Sequence, residues 1–389
     1  MPDHARYVVL GSGPAGTRGS ETLRKRDRAA RVVVVSADPY PFYNRILLSK
    51  SFLESDDLSP DDVVIKPAEV HAAQQIELKA RTRAIRLDPD AHEIELSNGE
   101  SLTYDKCLIA TGASPIRLPI PGIDLPGVFE LRTLEDAVAL RAATRGAECA
   151  VIIGGGLIGV EVAAALTRRD VSCTLLTLEP WLFGHLAPKP VSGALEAIMR
   201  SGGVTLELEA AAQAIGRDGG QLVVHTADGR NFPADLVPVG VGVSPNVEFL
   251  EGAGLADRAG VRVDACLRAT APDLFAAGDV AAYADPLTGV RHRVEHWLHA
   301  QHQGRHAAEN MIAEEPTPYR RVSSYDTALF GVSVVVVGAP ELATAWSIEG
   351  NLVNGTGLAI GERDGRAVAA FSIGEASIAE ITGRIEAGE

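Results

Sequence analysis

The chain has 389 residues, of which 46% are hydrophobic and 22% are charged. This length exceeds what one hydrophobic core usually holds, so two or three domains are expected. The formal net charge of −15 argues against a nucleic-acid-binding protein, which would need a basic face. No apolar run is long enough to span a membrane, and the first strand pattern begins too early for a signal peptide, so we expect a cytoplasmic protein.

The first apolar run, Tyr7–Leu10, is typical of a parallel strand covered on both faces, and a glycine-rich loop follows it. Glycines at this spacing permit a tight turn and close approach to a pyrophosphate, and the helix that follows supplies N–H donors. The next strand pattern, Arg31–Ser36, precedes Asp38, which is placed to accept hydrogen bonds from a ribose. The glycines of this loop are Gly11, Gly13 and Gly16.

The hydrophobic pattern of the sequence changes over residues 75–106. Short alternating segments separated by turn signals predict an antiparallel β-meander inserted into the parallel fold. The meander leads into a strand that ends in a turn of small residues, Ala110, Thr111 and Gly112. The predicted meander segments are Ile76–Ala80, Arg83–Leu87, Glu93–Leu96 and Ser101–Tyr104.

The middle of the chain repeats the pattern of the first loop. The apolar run Ala150–Ile153 precedes a second glycine-rich loop, and a helical pattern follows. One such loop is weak evidence of a dinucleotide-binding site. Two loops of this kind, each after a β-branched apolar run, indicate that one chain binds two dinucleotides and transfers electrons between them. The glycines of the second loop are Gly154, Gly156 and Gly159.

The strand that follows the second loop bears on the choice of nicotinamide cofactor. It covers Ser172–Thr177, and Thr177 stands where an acidic residue normally selects NADH. Glu179, two residues later, could accept from the ribose hydroxyls and would repel a 2′-phosphate. The sequence therefore favours NADH, and NADPH remains the alternative.

The remaining segments predict the domain organisation. Clustered prolines after residue 115 indicate a linker, and residues from about 244 return to the first domain through Ala271–Asp279 and a helix over Glu295–Ile312. A second meander is expected within the middle domain, and the first of its strands is Thr205–Glu209. We expect an α/β protein with two Rossmann-like dinucleotide-binding domains, one of residues 1–115 and 245–320 and one of residues 116–244, plus a small α+β domain of residues 321–389.

Cysteine and histidine usage points away from a metal centre. The four cysteines form no C-x-x-C pair, which excludes a zinc ribbon, an iron–sulfur loop and a redox disulfide of that type. Five histidines recur at spacings of three or four on the last long helical pattern, and we interpret them as a polar helix face, since no cysteines or carboxylates converge on them. They are His292, His296, His299, His302 and His306.

Several motifs occur together in one order, and the whole chain resembles the FAD-dependent pyridine nucleotide reductase family. It is most similar to the ferredoxin/rubredoxin reductase branch, which includes putidaredoxin reductase, and parts resemble the flavin module of assimilatory nitrite reductases. The resemblance implies a glutathione-reductase-like fold. The motifs are the run Tyr40–Lys50, the turn of Ala110 to Gly112, the second loop with Glu161, the run Ala276–Asp279, and Glu295-His296-Trp297.

The resemblance assigns FAD to the first loop and NADH, or NADPH, to the second. Asp279 would hold the ribityl or pyrophosphate region of FAD, and Arg45 and Arg132 would neutralise the pyrophosphate. Trp297 would flank the flavin, and Lys50 would pair with Glu161 beside flavin N5, where the nicotinamide docks. The further cofactor-binding residues that the resemblance implies are Ala110, Thr111, Gly112, Gly242, Gly278, Glu295 and His296.

The expected function is transfer of a hydride from NAD(P)H to FAD and then of single electrons to a small iron–sulfur protein, a ferredoxin or a rubredoxin. One departure from the branch leaves the acceptor open: Asp326 stands where its members carry an aromatic residue. The alternatives are an oxidoreductase acting on a small molecule or on oxygen, and a redox-sensing interaction protein like apoptosis-inducing factor. The protein is expected to be a monomer or a homodimer.

Overall fold

The computed structural model describes residues 3–40 and 42–389, so Pro41 of the run Tyr40–Lys50 lies outside the described residues. The chain divides into two compact units that are each built from three segments. The first unit comprises Met1–Tyr43, Val64–Ser114 and Ser244–Ser324. The second unit comprises Asn44–Val63, Pro115–Val243 and Tyr325–Glu389.

The chain contains eight α-helices among longer runs of strands within the described residues. The helices are α1 Pro14–Arg26, α2 Ser51–Glu54, α3 Ala68–Ala73, α4 Leu134–Ala143, α5 Leu157–Thr167, α6 Lys189–Ser201, α7 Trp297–Ile312 and α8 Ala379–Ala387. The strands before the second glycine-rich loop are β1 Asp3–Leu10, β2 Val32–Val35, β3 Phe42–Tyr43, β4 Val64–Lys66, β5 Ile76–Lys79, β6 Ala84–Asp88, β7 Glu93–Leu96, β8 Ser101–Ile109, β9 Ala113–Pro115, β10 Val128–Phe129 and β11 Cys149–Ile153. The later strands are β12 Ser172–Leu176, β13 Thr205–Glu207, β14 Ala212–Asp218, β15 Gln221–Thr226, β16 Asn231–Ala234, β17 Val237–Pro238, β18 Val243–Pro245, β19 Ala256–Asp257, β20 Gly260–Val263, β21 Leu274–Ala276, β22 Ala281–Ala284, β23 Arg291–His292, β24 Ser324–Leu329, β25 Val332–Gly338, β26 Ala345–Asn351, β27 Thr356–Arg363 and β28 Arg366–Ile373.

The first unit is built on a seven-stranded sheet in the order β5-β2-β1-β8-β7-β6, with β21 also paired to β8. The strands β5, β2, β1, β8 and β21 are parallel, and the central ones are apolar on both faces because helices cover them. α1 and α7 pack so closely that a Cβ on Gly304 would lie within 3.0 Å of the backbone of Ala15. Glycine is therefore required where these two helices meet.

The second unit contains its own parallel sheet, in the order β11-β12-β13. On the other side of β11, the two residues that flank β17 form isolated parallel bridges with it, Leu236 with Ala150 and Val239 with Ile153. The antiparallel sheet β14-β15-β16 belongs to the same unit. The C-terminal region adds a five-stranded sheet in the order β24-β25-β28-β27-β26, against which α8 packs.

Two strands that the sequence assigned to antiparallel meanders lie in the parallel sheets instead. β5 pairs parallel with β2, Ile76 opposite Val32, and β13 pairs parallel with β12, Thr205 opposite Thr174. Both are edge strands and are partly exposed, so their alternating composition resembles that of a meander strand. The assignment of these two segments was wrong, whereas β6, β7 and the start of β8 do form an antiparallel meander.

The histidine-rich segment is not one helix face. α7 begins at Trp297, so His292 lies in β23 and His296 is the N-cap of the helix. His299 is only 2% exposed, and its ring packs edge-on against Tyr319. The interpretation as a polar helix face was therefore wrong for His299, because this part of α7 faces the core of the first unit.

Burial lowers the pKa of the His299 ring from 6.5 to about 3, with smaller contributions from His296 and His292. Within residues 3–40 and 42–389, no group of three or more histidine, cysteine or acidic side chains is arranged to hold a metal ion. No helix in the same residues has the length and apolar character needed to cross a bilayer.

The burial of His299 predicts how stability depends on pH. Below pH 6.5 the unfolded chain takes up a proton on this ring, and the folded chain does not until the pH approaches about 3. The free energy of unfolding should therefore fall with decreasing pH across this window, with up to about 1.4 kcal/mol per pH unit from this group. Urea unfolding of His299→Phe should have a shallower pH dependence. The control Met311→Leu, buried on the same helix, should keep the wild-type slope, and an equal slope in both variants would contradict the assignment.

Candidate functional site

Parallel strands of the first unit bring their loops to one edge of the sheet. β1 and β8 run side by side with Leu10 opposite Ile109, and β21 pairs with the other side of β8. The first glycine-rich loop leaves β1, the turn of residues 110–112 leaves β8, and Gly278 and Asp279 follow β21. Since the carboxyl ends of parallel strands meet at the same edge, these predicted site residues lie together.

Close backbone contacts fix the first loop. A Cβ on Gly11, whose φ is +109°, would lie within 3.0 Å of the carbonyl oxygen of Ala110, and a Cβ on Gly16 would lie as close to the carbonyl of Gly11. A Cβ on Gly13, by contrast, would meet no atom of the described chain within 4 Å. The loop is held tightly on the sheet side and is open at Gly13, where an anion can approach.

The start of α1 has no capping side chain. Its N-cap is Gly13, and its first turn, which is fully described, contains neither a side-chain cap nor an acidic residue. α4 differs, because Thr133 and Asp136 form a reciprocal capping box at its start. The first N–H groups of α1 therefore have no side-chain acceptor among the described residues, and the helix dipole adds partial positive charge there.

Asp38 lies just beyond β2, at the same edge of the sheet. Its Oδ1 accepts a hydrogen bond from the backbone N–H of Tyr40 at 3.0 Å, and its Oδ2 accepts one from the hydroxyl of Tyr43 at 2.8 Å. These bonds fix the orientation of the carboxylate. The sequence predicts that this carboxylate accepts hydrogen bonds from a ribose.

Gly278 has a supporting contact that the sequence did not reveal. Its N–H donates to Oε1 of Gln303 at 2.9 Å, and both groups are buried. The bond joins the turn that carries Asp279 to α7, 25 residues further along the chain. The spacing of Trp297 and Gln303 is visible in the sequence, but only the fold brings Gln303 to this turn.

The N-terminus of α7 holds three predicted residues, Glu295, His296 and Trp297. The Trp297 ring stacks on the buried Phe42 ring, with centroids 5.4 Å apart and planes 20° apart. Glu295 forms an ion pair with Arg293, with 2.6 Å between the charged atoms. The aromatic pair fixes the first residue of the helix.

The second unit repeats the geometry of the first loop. A Cβ on Gly154, whose φ is +122°, would lie within 3.0 Å of the carbonyl oxygen of Gly240, and a Cβ on Gly159 would lie as close to the carbonyl of Gly154. Gly156 is the N-cap of α5 without a side-chain cap, and its Cβ would meet no described atom within 4 Å. The start of α5 is therefore open and uncapped in the same way as the start of α1.

Glu179 lies beyond the end of β12, and its carboxylate is oriented by two neighbours. It accepts from the N–H of Gly184 at 2.7 Å and lies 3.1 Å from Nδ1 of His185. Thr177, which stands at the strand end itself, is buried and accepts a hydrogen bond from the N–H of Glu179. An acidic group is thus fixed at the carboxyl edge of this sheet, two residues later than the usual position.

Lys50 and Glu161 are brought together, as the sequence predicts. Nζ of Lys50 lies 3.4 Å from Oε1 of Glu161, which is 5% exposed although it belongs to an otherwise apolar helix. Sequence reasoning missed Ser49, whose hydroxyl donates to Oε2 of Glu161 at 2.5 Å. The carboxylate of Glu161 therefore has a separate partner on each oxygen.

The C-terminal region also contacts Lys50. Nζ of Lys50 donates to the backbone carbonyl of Asp326 at 3.2 Å, and the Asp326 side chain is exposed. Burial raises the pKa of the neighbouring Tyr325, and the charges of Glu341 and Glu161 raise it further. Strand β24 thus fixes the ammonium group through its backbone.

The other predicted residues of the second unit come from three different segments of the chain. Arg45 begins the short 3-10 helix of residues 45–49, and Arg132 lies two residues before α4. Gly242 has a φ of +107°, and its carbonyl accepts from the N–H of Ile116 at 2.9 Å. The roles of these three residues in cofactor binding stay predictions.

Two open helix starts, each at the carboxyl edge of its own parallel sheet, define a protein that binds two dinucleotides. The sequence profile of the pyridine nucleotide-disulphide oxidoreductase family matches residues 5–304. The chain belongs to this family of oxidoreductases.

Three known proteins illustrate the relationship. The ferredoxin–NAD(+) reductase component of the p-cumate 2,3-dioxygenase system of Pseudomonas putida is 34% identical over 82% of this chain and 77% of its own length. The corresponding component of the anthranilate 1,2-dioxygenase system of Burkholderia cepacia is 35% identical over 86% of this chain and 85% of its own. The covalent putidaredoxin reductase–putidaredoxin complex matches with a TM-score of 0.92 and 26% identity, covering 98% of this chain and 93% of that one. The predicted fold class, two nucleotide-binding folds of the glutathione-reductase type, is confirmed.

Proteins of this family use FAD and NADH, the cofactors that the sequence predicts. The residues of this chain fit both. A diphosphate needs N–H donors, positive potential and space, and the starts of α1 and α5 offer all three at Gly13 and Gly156. The carboxylates of Asp38 and Glu179 are held at the sheet edges where ribose acceptors are needed.

The buried contacts of Glu161 predict the effect of removing its hydroxyl donor. Ser49→Ala leaves one carboxylate oxygen without that bond, which should lower the free energy of unfolding by about 2 kcal/mol. Urea unfolding of the FAD-loaded protein measures the loss. Ser49→Thr, which keeps the hydroxyl, should recover most of the stability. Ser51→Ala, at a half-exposed neighbour, should change it by less than about 0.5 kcal/mol, and equal losses in both alanine variants would contradict a specific role for Ser49.

Proposed function

We propose that this protein is an NADH-dependent FAD oxidoreductase that passes electrons to a small iron–sulfur carrier, a ferredoxin or a rubredoxin. The observation that carries the proposal is the pair of open, uncapped helix starts at Gly13 and Gly156. Two such sites in one chain suit one hydride donor and one flavin. The relatives named above are reductase components of ferredoxin systems, which supports the same acceptor for this chain.

The cofactors supply the redox chemistry: bound FAD accepts a hydride from NADH and releases electrons one at a time. The chain binds and orients them. Gly11, Gly13 and Gly16 would receive the FAD pyrophosphate, Asp38 the ribose, and Asp279 the ribityl region, while Gly154, Gly156, Gly159 and Glu179 would bind NADH. The buried bond between Gly278 and Gln303 supports the role of Asp279, because it fixes the turn that carries this carboxylate.

We assign Lys50 and Glu161 to the place where the hydride passes. Glu161 is buried, yet it has both an ammonium and a hydroxyl partner, which keeps a full negative charge tolerable in an apolar helix. Lys50, 24% exposed, can still reach a ligand. The pair would orient the nicotinamide ring and exclude water, whereas a purely structural pair would not affect the rate of flavin reduction.

The proposed function also implies a domain organisation. The FAD-binding domain would comprise residues 1–115 and 245–320, and the first compact unit supports it, because it also joins N-terminal segments to residues 244–324. Residues 116–244 would bind NADH, and residues 321–389 would form the α+β domain. A cytoplasmic location fits an enzyme that draws on the NADH pool.

A second candidate acceptor is oxygen or a small molecule. The exposed side chain of Asp326 favours it, because the oxygenase reductases that the chain resembles carry an aromatic residue there. The two candidates differ in whether NADH oxidation depends on a protein carrier.

Substitution of the pair tests the assignment of the hydride-transfer site. The variants Lys50→Met and Glu161→Gln should retain FAD, but NADH should reduce their flavin at least about tenfold more slowly, because the nicotinamide ring would no longer be correctly oriented. Anaerobic stopped-flow absorbance measures this rate. The exposed Lys25→Met is the matched control and should keep the wild-type rate. Wild-type rates in both pair variants would reduce Lys50 and Glu161 to a structural role.

Carrier dependence tests the proposed function. Steady-state reduction of cytochrome c by NADH should be slow with the enzyme alone and should rise at least about tenfold when a [2Fe–2S] ferredoxin or a rubredoxin is added. Oxygen consumption in the same assay should stay low. Rapid oxygen consumption without a carrier would favour the second candidate, and a single slow turnover with NADH would contradict both.

A further inference from the structure

The residue that carries the ammonium group of the proposed hydride-transfer site also begins a helix. Lys50 is the N-cap of α2, and its carbonyl accepts hydrogen bonds from the N–H groups of Leu53 and Glu54, both at 2.9 Å. α2 has only four residues, Ser51–Glu54. A helix of one turn is unstable by itself in water, because its first turn fixes several residues for a single hydrogen bond. The position of Lys50 therefore depends on contacts that hold α2 from other parts of the chain.

Arg141, on α4, makes several of these contacts. Its Nη1 donates to the backbone carbonyls of Phe52, Ser55 and Leu58, at 3.2, 3.4 and 2.6 Å respectively. Its guanidinium carbon lies 3.8 Å from the centroid of the Phe52 ring, and this ring is fully buried. The carbonyls at the end of a helix lack partners within the helix, so a cation placed there satisfies them and interacts favourably with the helix dipole. Arg141 thus provides the C-terminal end of α2 with hydrogen bonds that so short a helix cannot supply.

A second arginine, two residues after the end of α5, binds the same turn. Nη1 of Arg169 donates to the carbonyl of Leu53 at 3.5 Å, and its Nε donates to the hydroxyl of Thr144 at 2.9 Å. Asp56 lies 3.2 Å from Nη2 of Arg169 and 3.8 Å from Nε of Arg141, so one carboxylate partly neutralises both guanidinium groups. We call Arg141 and Arg169 the arginine pair.

The turn bound by the arginine pair directly follows the two residues that contact Glu161. Ser49 donates to one oxygen of this carboxylate at 2.5 Å, and Nζ of Lys50 lies 3.4 Å from the other. Since Lys50 caps α2, a shift of α2 would move both contacts. A misplacement of about 1 Å can slow an enzymatic step by about a hundredfold. The arginine pair is therefore able to affect a rate at this site without contacting a ligand.

We propose that Arg141 and Arg169 are positioning residues for hydride transfer, and that they act by fixing α2 and, through it, Lys50. The proposal rests on the proposed function and on the assignment of Lys50 and Glu161 to the place where the hydride passes. It extends both, because the side chains of the arginine pair are only 12% and 13% exposed and each nitrogen of the Arg169 guanidinium already contacts the protein. A pair that only stabilises the second unit would act on the rate independently of Lys50, whereas a positioning pair acts only when Lys50 is present.

Hydrogen exchange tests whether the arginine pair fixes α2. In Arg141→Lys the charge is kept, but a lysine ammonium cannot reproduce the planar guanidinium that binds three carbonyls and stacks on a ring. The amides of Leu53 and Glu54 in the FAD-loaded protein should therefore exchange at least about fivefold faster than in the wild type, because they bond to the Lys50 carbonyl. Mass spectrometry of peptides from residues 44–63 measures this rate, and peptides of β11 should be unchanged. Unaltered exchange in α2 would overturn the proposal.

A double-mutant cycle tests whether the pair acts through Lys50. Arg141→Lys should slow flavin reduction by saturating NADH at least about fivefold in anaerobic stopped-flow, while FAD affinity measured by flavin fluorescence stays within about twofold of wild type. In the Lys50→Met background the same substitution should change the rate by less than about twofold, since no ammonium group remains to be positioned. Equal slowing in both backgrounds would overturn the proposal and leave the pair a stabilising role alone.

The matched control is Arg145→Lys. Arg145 lies 3.6 Å from the same Asp56 carboxylate, but it is 70% exposed, and its side chain makes no hydrogen bond to residues 51–58 in the part of the chain that the structure describes. Its exchange and reduction rates should stay within about twofold of wild type. Effects equal to those of Arg141→Lys would overturn the role of the carbonyl contacts, because charge beside Asp56 would then explain them. If Arg141→Lys does not fold, Arg169→Lys takes its place in the same cycle with the same expected outcome.

The outcomes separate this proposal from those on which it rests. If Lys50→Met has the wild-type rate, the assignment of Lys50 fails, and the positioning role fails with it. If Lys50→Met is slow and both arginine variants keep the wild-type rate, only the positioning role fails. The identity of the electron acceptor does not enter, because anaerobic reduction of the flavin precedes transfer to any carrier.

Discussion

Both nucleotide sites depend on backbone contacts that only glycine allows. In each unit the first glycine of the loop lies against the carbonyl oxygen of the adjacent strand turn, Ala110 in one and Gly240 in the other. In each, the last glycine of the loop lies against the carbonyl of the first. A side chain at any of these positions would separate the helix from the sheet, and the helix N-terminus would no longer point at the sheet edge. The positive potential that an anionic cofactor needs is therefore a consequence of packing.

The remainder of the proposed site is arranged around these two fixed points. Parallel strands bring Asp38, the turn of residues 110–112 and Asp279 to the first loop without any contact between their side chains being needed. Asp38, Glu161 and Glu179 each have partners from the protein itself, so these carboxylates are oriented before a ligand arrives. Such preorganisation is appropriate when the cofactors carry the chemistry and the protein contributes position.

The sequence predicted what is local or repeated. The loops, the strands before them and the pairing of Lys50 with Glu161 could all be predicted, because each depends on a motif of fixed spacing or on the family resemblance. The sequence did not reveal Ser49 as the second partner of Glu161, since that contact joins residues 112 positions apart. The edge strands β5 and β13 were misassigned, because partial exposure gives a parallel edge strand the composition of an antiparallel one. The burial of His299 was also missed, since histidine spacing alone cannot tell which face of α7 meets the core.

The central claim is that one chain binds a flavin and a nicotinamide cofactor in two nucleotide folds and passes electrons between them. Anaerobic titration of the purified, FAD-reconstituted protein with NADH tests it most directly. The account predicts one FAD bound per chain, loss of the oxidised flavin absorbance after one equivalent of NADH, and recovery of that absorbance when oxidised ferredoxin is added. A protein that remains colourless after reconstitution, or a flavin that NADH leaves oxidised, would contradict the account.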